Sequence, residues 1–315
     1  MFGFIAPFKR SFDEIGFIYK IPEKFLKETK VGQIVKIPFG NAEIFGVIYE
    51  IFENPPKNFE KSKIKEISQI QNEKSFINGY RIELLKFISE NYFTAIHNSL
   101  NLFLPKNLIE KVKKGKLTQK EKAYKYFSLK NNNLTKKQEQ LFLEIYNSKE
   151  KKILLFGVTG SGKTEIYIKL IQKYLSENKQ VLFLIPEIIL TNQIAQRLKN
   201  FFGEDLIVLN STVSEAKKTQ YFLDIESGNA KIIIGTRSAI FYPFSNLALI
   251  IIDEEHDNSY VSDQSPRYNT LEIANKITEL NGNKLLLASG TPSINSMYKA
   301  INGEYKLLNL LEKFK

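Results

Sequence analysis

An α/β protein is predicted, with a small N-terminal α/β domain ahead of a larger lobe whose parallel sheet is covered by helices. Three observations predict it. Residues 152–175 run from an apolar strand through a glycine-rich turn into apolar residues at helical spacing. Short apolar runs recur at 152–156, 181–185, 206–209, 231–234, 247–252 and 284–288, with helical patterns between most of them. That alternation argues a parallel sheet buried on both faces. In the first part, residues 32–39 and 42–49 alternate with period two on either side of Gly40-Asn41, which reads as a hairpin or a bent strand pair.

The glycine-rich turn is a complete phosphate-loop pattern: Gly157, Val158, Thr159, Gly160, Ser161, Gly162, Lys163 and Thr164. Its glycines let successive N–H groups curl around phosphate oxygens, and the following helix adds its positive end. Lys163 is placed to reach the β- and γ-phosphates of ATP, and the Thr164 hydroxyl to ligate magnesium. A plain turn between strand and helix would carry the same glycines. It would not require the Lys-Thr pair.

A P-loop needs an acidic partner. The run Leu247–Ile252 delivers Asp253-Glu254-Glu255-His256 at its C-terminal end, where open α/β sheets bind ligands. Asp253 is expected to hold magnesium, directly or through water, and Glu254 to orient or deprotonate the attacking water. Solvated strand-end carboxylates are the alternative.

Composition narrows the remaining choices. Cysteine is absent, which excludes disulfides and thiolate metal sites within these residues. No apolar run approaches the roughly 20 residues of a membrane span. Met1–Phe12 lacks the order of a secretory signal, so a cytoplasmic location is expected. The net charge is +11, and residues 1–133 hold most of it, with 23 Lys+Arg against 14 Asp+Glu, or +9. Such a balance suits nucleic acid. A lysine-rich genome would produce it too.

Residues 1–105 are expected to form the first domain, with one helix over 80–97. His97 is expected at the surface or at a helix end. Residues 106–133, rich in lysine and ending in Asn131-Asn132-Asn133, read as a basic linker. The lobe then occupies 134–315, opening on a helix capped by Thr135 with Gln138 three residues on.

Three further segments follow strands in the lobe: Pro186-Glu187 with Leu190-Thr191-Asn192-Gln193, then Gly235-Thr236-Arg237-Ser238-Ala239, then Ser289-Gly290-Thr291-Pro292-Ser293. Together they line one sheet edge with hydroxyls, backbone donors and Arg237, which can grip a phosphate backbone. After the acidic box, Tyr260 and Tyr268 are expected to stack on bases while Arg267 adds a cationic contact.

The order of these motifs resembles the first RecA-like lobe of superfamily 2 helicases, a P-loop NTPase fold. GVTGSGKTEIY at 157–167, LIPEIILT at 184–191, the stretch 233–260 and RYN at 267–269 are similar to the PriA (primosomal protein N′) family of replication-restart helicases. KIPFG at 36–40, Phe45–Ile48, SENYF at 89–93 and FLP at 103–105 extend the resemblance to the first domain. The resemblance implies an ATP-dependent 3′-to-5′ DNA helicase that recognises arrested forks and starts primosome assembly. It implies an adenine-reading role for Gln138 and an aromatic-rich loop after the acidic box that couples DNA to hydrolysis. For the first domain it implies a pocket for the 3′ end of a nascent strand, mapped onto Phe17, Tyr19, Gly40 and Lys65. Isoleucine 18 stands where the family has aspartate, and Phe12-Asp13 is the rival placement. The primosome and single-strand-binding proteins are the implied partners. The family's winged helix, second lobe and cysteine-rich zinc segment have no counterpart in these residues. The chain therefore reads as the front part of such a helicase, expected to be inactive or very weak alone. A fork-end DNA-binding module without turnover, or another DEEH-box translocase of repair or restriction type, are the rival readings.

Overall fold

The computed structural model describes residues 1–9, 16–56, 59, 61–118, 122–126, 134–187, 192–203 and 206–313. Two compact units divide the chain: Met1–Gln119 with Gln264–Tyr268, and Lys120–Asp263 with Asn269–Lys315.

The first unit is an antiparallel sheet with helices. Its strands are β1 (Phe2–Pro7), β2 (Phe17–Lys20), β3 (Ile34–Phe39), β4 (Ala42–Phe52) and β5 (Gln69–Ile70), in spatial order β2-β1-β4-β3-β5. The period-two segments form the β3–β4 hairpin, where Phe39 pairs with Ala42 across Gly40-Asn41. Gly40 has φ +59°, as a tight hairpin turn demands. One sheet face buries Ile5, Tyr19, Val35, Ile37 and Ile48. The helices are α1 (Tyr80–Asn91), α2 (Ile96–Phe103) and α3 (Lys106–Lys113).

Three expectations change here. The helix expected over 80–97 is two helices, because the chain turns at Phe93, which has φ +44° and lies 97% exposed. His97 does sit at a helix end, in the first turn of α2, but it is buried, so the surface alternative drops out. The first part of the expected linker is a helix, while residues 119–121 and 127–133 lie outside the described residues. Its apolar residues Leu108, Ile109 and Val112 recur at helical spacing and bury one face of α3, so the first unit continues past residue 105. Further on, Tyr124 donates to Asp224 at 2.6 Å and the Tyr126 hydroxyl accepts from Lys231 N at 2.7 Å. That part of the segment is strapped to the second unit.

The second unit carries α4 (Lys136–Asn147), β6 (Lys152–Gly157), α5 (Lys163–Ser176), β7 (Gln180–Leu184), α6 (Asn192–Phe202), β8 (Ile207–Leu209), α7 (Glu215–Glu226), β9 (Ile232–Gly235), β10 (Leu247–Asp253), α8 (Thr270–Asn281), β11 (Lys284–Ser289), α9 (Ile294–Ile301) and β12 (Lys306–Leu310). Its seven strands run in the order β12-β6-β11-β10-β7-β9-β8, and every neighbouring pair is parallel. All six expected strands are present. β12 was not expected, since its five residues KLLNL bury only Leu308 and Leu310. One face of the sheet buries a cluster of aliphatic and aromatic residues that includes Ile153, Leu155, Ile166, Phe183, Ile251 and Leu286, and Leu154, Leu182, Ile250, Leu285 and Leu287 are buried as well.

The strand order decides what meets what. β11 lies between β6 and β10. The P-loop after β6, the acidic box after β10 and the SGTPS turn after β11 therefore emerge side by side at one sheet edge.

Candidate nucleotide and DNA site

The P-loop joins β6 to α5, with Gly160 at φ +79° and Gly162 at φ +83°. Gly162 is the N-cap in the left-handed region, so a side chain there would be strained. The first-turn N–H groups of α5 have no acceptor within the helix and point toward the loop. Lys163 is 8% exposed, and its ammonium donates to Gly157 O at 2.7 Å. It also lies 3.4 Å from Glu254 Oε1. Thr164 follows on the same first turn.

Asp253 ends β10 and Glu254 turns away from it with φ +46°. A non-glycine residue in this region is rare and concentrates at functional sites, at a cost of about 1–3 kcal/mol. Asp253 Oδ1 accepts from the Tyr167 hydroxyl at 2.9 Å. Burial, reinforced by the neighbouring Glu254 charge, pushes the Asp253 carboxyl up to about 6, against the pull of that hydrogen bond. One carboxylate and one hydroxyl beside a phosphate cradle suit magnesium, which keeps waters and takes its other ligands from phosphates. Asp253 and Thr164 would hold it, and its charge would offset that on the phosphates.

The last two residues of the acidic box were missed as functional, yet they knit it to the SGTPS turn. Glu255 is 2% exposed and accepts from Ser293 N (2.6 Å), Ser293 Oγ (3.0 Å) and Ser296 Oγ (2.8 Å), so it clamps the start of α9. His256 Nδ1 lies 2.7 Å from Ser289 Oγ and 3.6 Å from Glu254 Oε2. A signal was available in sequence: two more polar residues directly after the expected catalytic carboxylate.

Gln138 completes a capping box with Thr135, and its amide donates to Ser161 O at 3.3 Å and Gly162 O at 3.4 Å. It is thus seated behind the P-loop with α4. The far end of α4 is held by Lys284, which donates to Ile145 O, Tyr146 O and Ser148 O.

The expected DNA contacts fare unevenly. Tyr260 is 1% exposed, and its hydroxyl donates to Asp253 O at 2.7 Å and Leu184 O at 3.1 Å. A ring enclosed by the sheet edge cannot stack on a base. Tyr260 is a strut of the acidic box, which corrects the stacking role expected of it. Tyr268, 3% exposed, is likewise buried rather than offered for stacking. Arg267 is exposed. Arg237 binds the loop after the acidic box, donating to Ser259 O, Val261 O and Asp263 Oδ1. Thr236 is mostly buried and shapes the turn that presents Arg237, accepting from Ala239 N. Of the PE segment, Glu187 accepts from Ser211 Oγ at 2.9 Å, while Leu190-Thr191 lie outside the described residues.

In the first unit, Phe17 packs edge-on against Phe39 with centroids 5.1 Å apart. Tyr19 is buried and donates to Pro38 O at 2.8 Å, so its hydroxyl is committed to the β3 backbone. Gly40 and Lys65 are exposed. Ile18 is buried, and Phe12-Asp13 lie outside the described residues.

Residues 135–300 match the DEAD/DEAH box helicase family. The chain belongs to it. Residues 8–105 match the 3′DNA-binding domain of PriA. Among curated proteins, Replication restart protein PriA of Rickettsia conorii is 38% identical over 94% of this chain and 44% of that protein. PriA of Helicobacter pylori strain 26695 is 35% identical over 93% of this chain and 43% of its own. PriA of Bacillus subtilis is 44% identical over 53% of this chain and 21% of its own. The chain thus spans less than half the length of these relatives.

Proposed function

We propose that this chain provides the fork-binding and ATP-binding parts of a replication-restart helicase. In this reading residues 1–105 hold a DNA end and residues 134–315 are the first motor lobe, acting 3′-to-5′ at arrested forks and starting primosome assembly. The observation that carries it is the convergence of Lys163, Glu254 and Asp253 at one sheet edge, in a chain whose first part matches a 3′DNA-binding domain.

The chemistry follows from the geometry. Lys163 leaves Gly157 O for phosphate oxygens, and Glu254 takes a proton from, or orients, the attacking water. Arg237 and the loop it holds carry DNA occupancy toward Asp253 through Tyr260.

Binding of the whole chain to a fork with a free 3′ end, followed by fluorescence anisotropy across a salt series, tests the DNA half. Affinity should fall steeply with salt, as phosphate contacts require. With Ile18 in place of the acidic residue, free and blocked 3′ ends should bind alike. Absent binding at low salt, or binding indifferent to salt, would overturn the assignment.

One observation favours the second reading, a fork-end binder without turnover. Among the described residues Arg197 pairs with Glu165 and Arg237 with Asp263, so neither guanidinium is free for a transferred phosphate in this arrangement, a contribution on the order of 10³–10⁵ in rate elsewhere. Turnover near background even with forked DNA would support that reading. Several turnovers per second would refute it.

A further inference from the structure

We propose that Tyr167 is the positioning residue of the magnesium site, holding the Asp253 carboxylate oriented for the cation. The inference rests on the assignment of Asp253 as a magnesium ligand.

Tyr167 stands four residues after Lys163 on α5, one turn along, so both side chains leave the same face of the P-loop helix. They reach consecutive carboxylates of the acidic box. Lys163 approaches Glu254 at 3.4 Å, and the Tyr167 hydroxyl donates to Asp253 Oδ1 at 2.9 Å. The two donors differ in kind. A cation at Asp253 would compete with a metal for the same negative charge. A phenol supplies a hydrogen bond and no charge, so it steadies the carboxylate without neutralising it.

The phenol is itself fixed. Tyr167 is fully buried, and its ring meets Phe183 of β7 edge-on, with centroids 5.5 Å apart and planes at 66°. The other end of Asp253 is fixed as well, since the Tyr260 hydroxyl donates to its carbonyl at 2.7 Å. Backbone and side chain are therefore each held by a tyrosine hydroxyl, and occupying Oδ1 leaves Oδ2 for the cation. The bland account is that a buried phenol must find some acceptor, and Asp253 is merely near. The two accounts differ in what happens to metal affinity.

Replacing Tyr167 by Phe keeps the ring contact with Phe183 and removes the hydroxyl alone. Tyr167→Met fills similar space with no donor and guards against a fault peculiar to one variant. The probe is Mn²⁺, its free concentration read by electron paramagnetic resonance against the full chain with saturating ADP. Metal-free ADP affinity is measured alongside as a check that the P-loop is intact. Both variants should bind metal-free ADP within about twofold of the parent, yet hold Mn²⁺ roughly 10–100-fold more weakly, the loss of one hydrogen bond to a charged acceptor. Unchanged Mn²⁺ affinity in variants that still bind ADP would overturn the positioning role. Failure of the parent chain itself to take up Mn²⁺ with ADP would instead sink the magnesium assignment on which the role rests.

Discussion

Lys163 Nζ lies 3.4 Å from Glu254 Oε1, so the P-loop cation and the acidic-box carboxylate meet across the edge of β11, the strand between them. The contact makes Glu254 a competitor of phosphate for the lysine. In Glu254→Gln the lysine keeps the Gly157 carbonyl as partner and faces a neutral amide, so nothing charged must be displaced when phosphate arrives. Titration with a fluorescent ATP analogue should show affinity equal to the parent or a few-fold tighter, while any hydrolysis is lost. A variant that binds as poorly as one lacking Lys163 would refute this division of roles.

Asp253 gives a pH dependence of stability. Burial raises its carboxyl from the ordinary 3.8 to about 6, so between those values the folded lobe binds more protons than the unfolded chain. Stability contributed by this residue is therefore present below the unfolded value and lost as pH rises through about 6. The charged carboxylate then costs roughly 2–3 kcal/mol, less whatever solvent screens at its partly exposed edge. Asp253→Asn, whose amide oxygen can still accept from Tyr167, should melt a few degrees higher than the parent at pH 7.5. The gap should close as pH falls toward 4. A pH-independent gap would mean the gain has another source.

Tyr260 offers a separate test of the corrected assignment. Its hydroxyl serves two carbonyls, Asp253 O and Leu184 O, at the ends of adjacent strands β10 and β7. Tyr260→Phe should lower stability by about 1–3 kcal/mol, as expected when buried acceptors lose their donor. DNA affinity should change little, because the ring is not offered to bases. A large loss of single-stranded DNA affinity with an unchanged melting temperature would restore the stacking role.

The lobe was legible because its signals are local. Gly162-Lys163-Thr164 separated from Gly157 by four residues, an apolar run ending in Asp253, and Thr135 with Gln138 are each read within a few residues of chain. The first unit was harder. β1 carries Gly3 and ends on Pro7, and β2 is only four residues long, too little for a period to show. α3 was obscured by five lysines in and just after it, between 106 and 116, though Leu108, Ile109 and Val112 keep a helical stripe beneath them. The break at Phe93 depends on a left-handed backbone that nothing in an aromatic side chain announces. Tyr260 and Glu255 failed for a different reason. A polar or aromatic residue in a polar loop looks available to a ligand until the sheet edge that encloses it is known.

The central claim is that the loop from Gly157 to Thr164 binds a nucleoside triphosphate through Lys163. Titration of the 315-residue chain with a fluorescent ATP analogue and magnesium, beside Lys163→Ala, tests it most directly. The parent should show saturable binding that unlabelled ATP displaces, and the variant should bind roughly 10–100-fold more weakly for loss of the charged phosphate contact. Equal affinity in the two, or no saturable binding by the parent, would contradict the account.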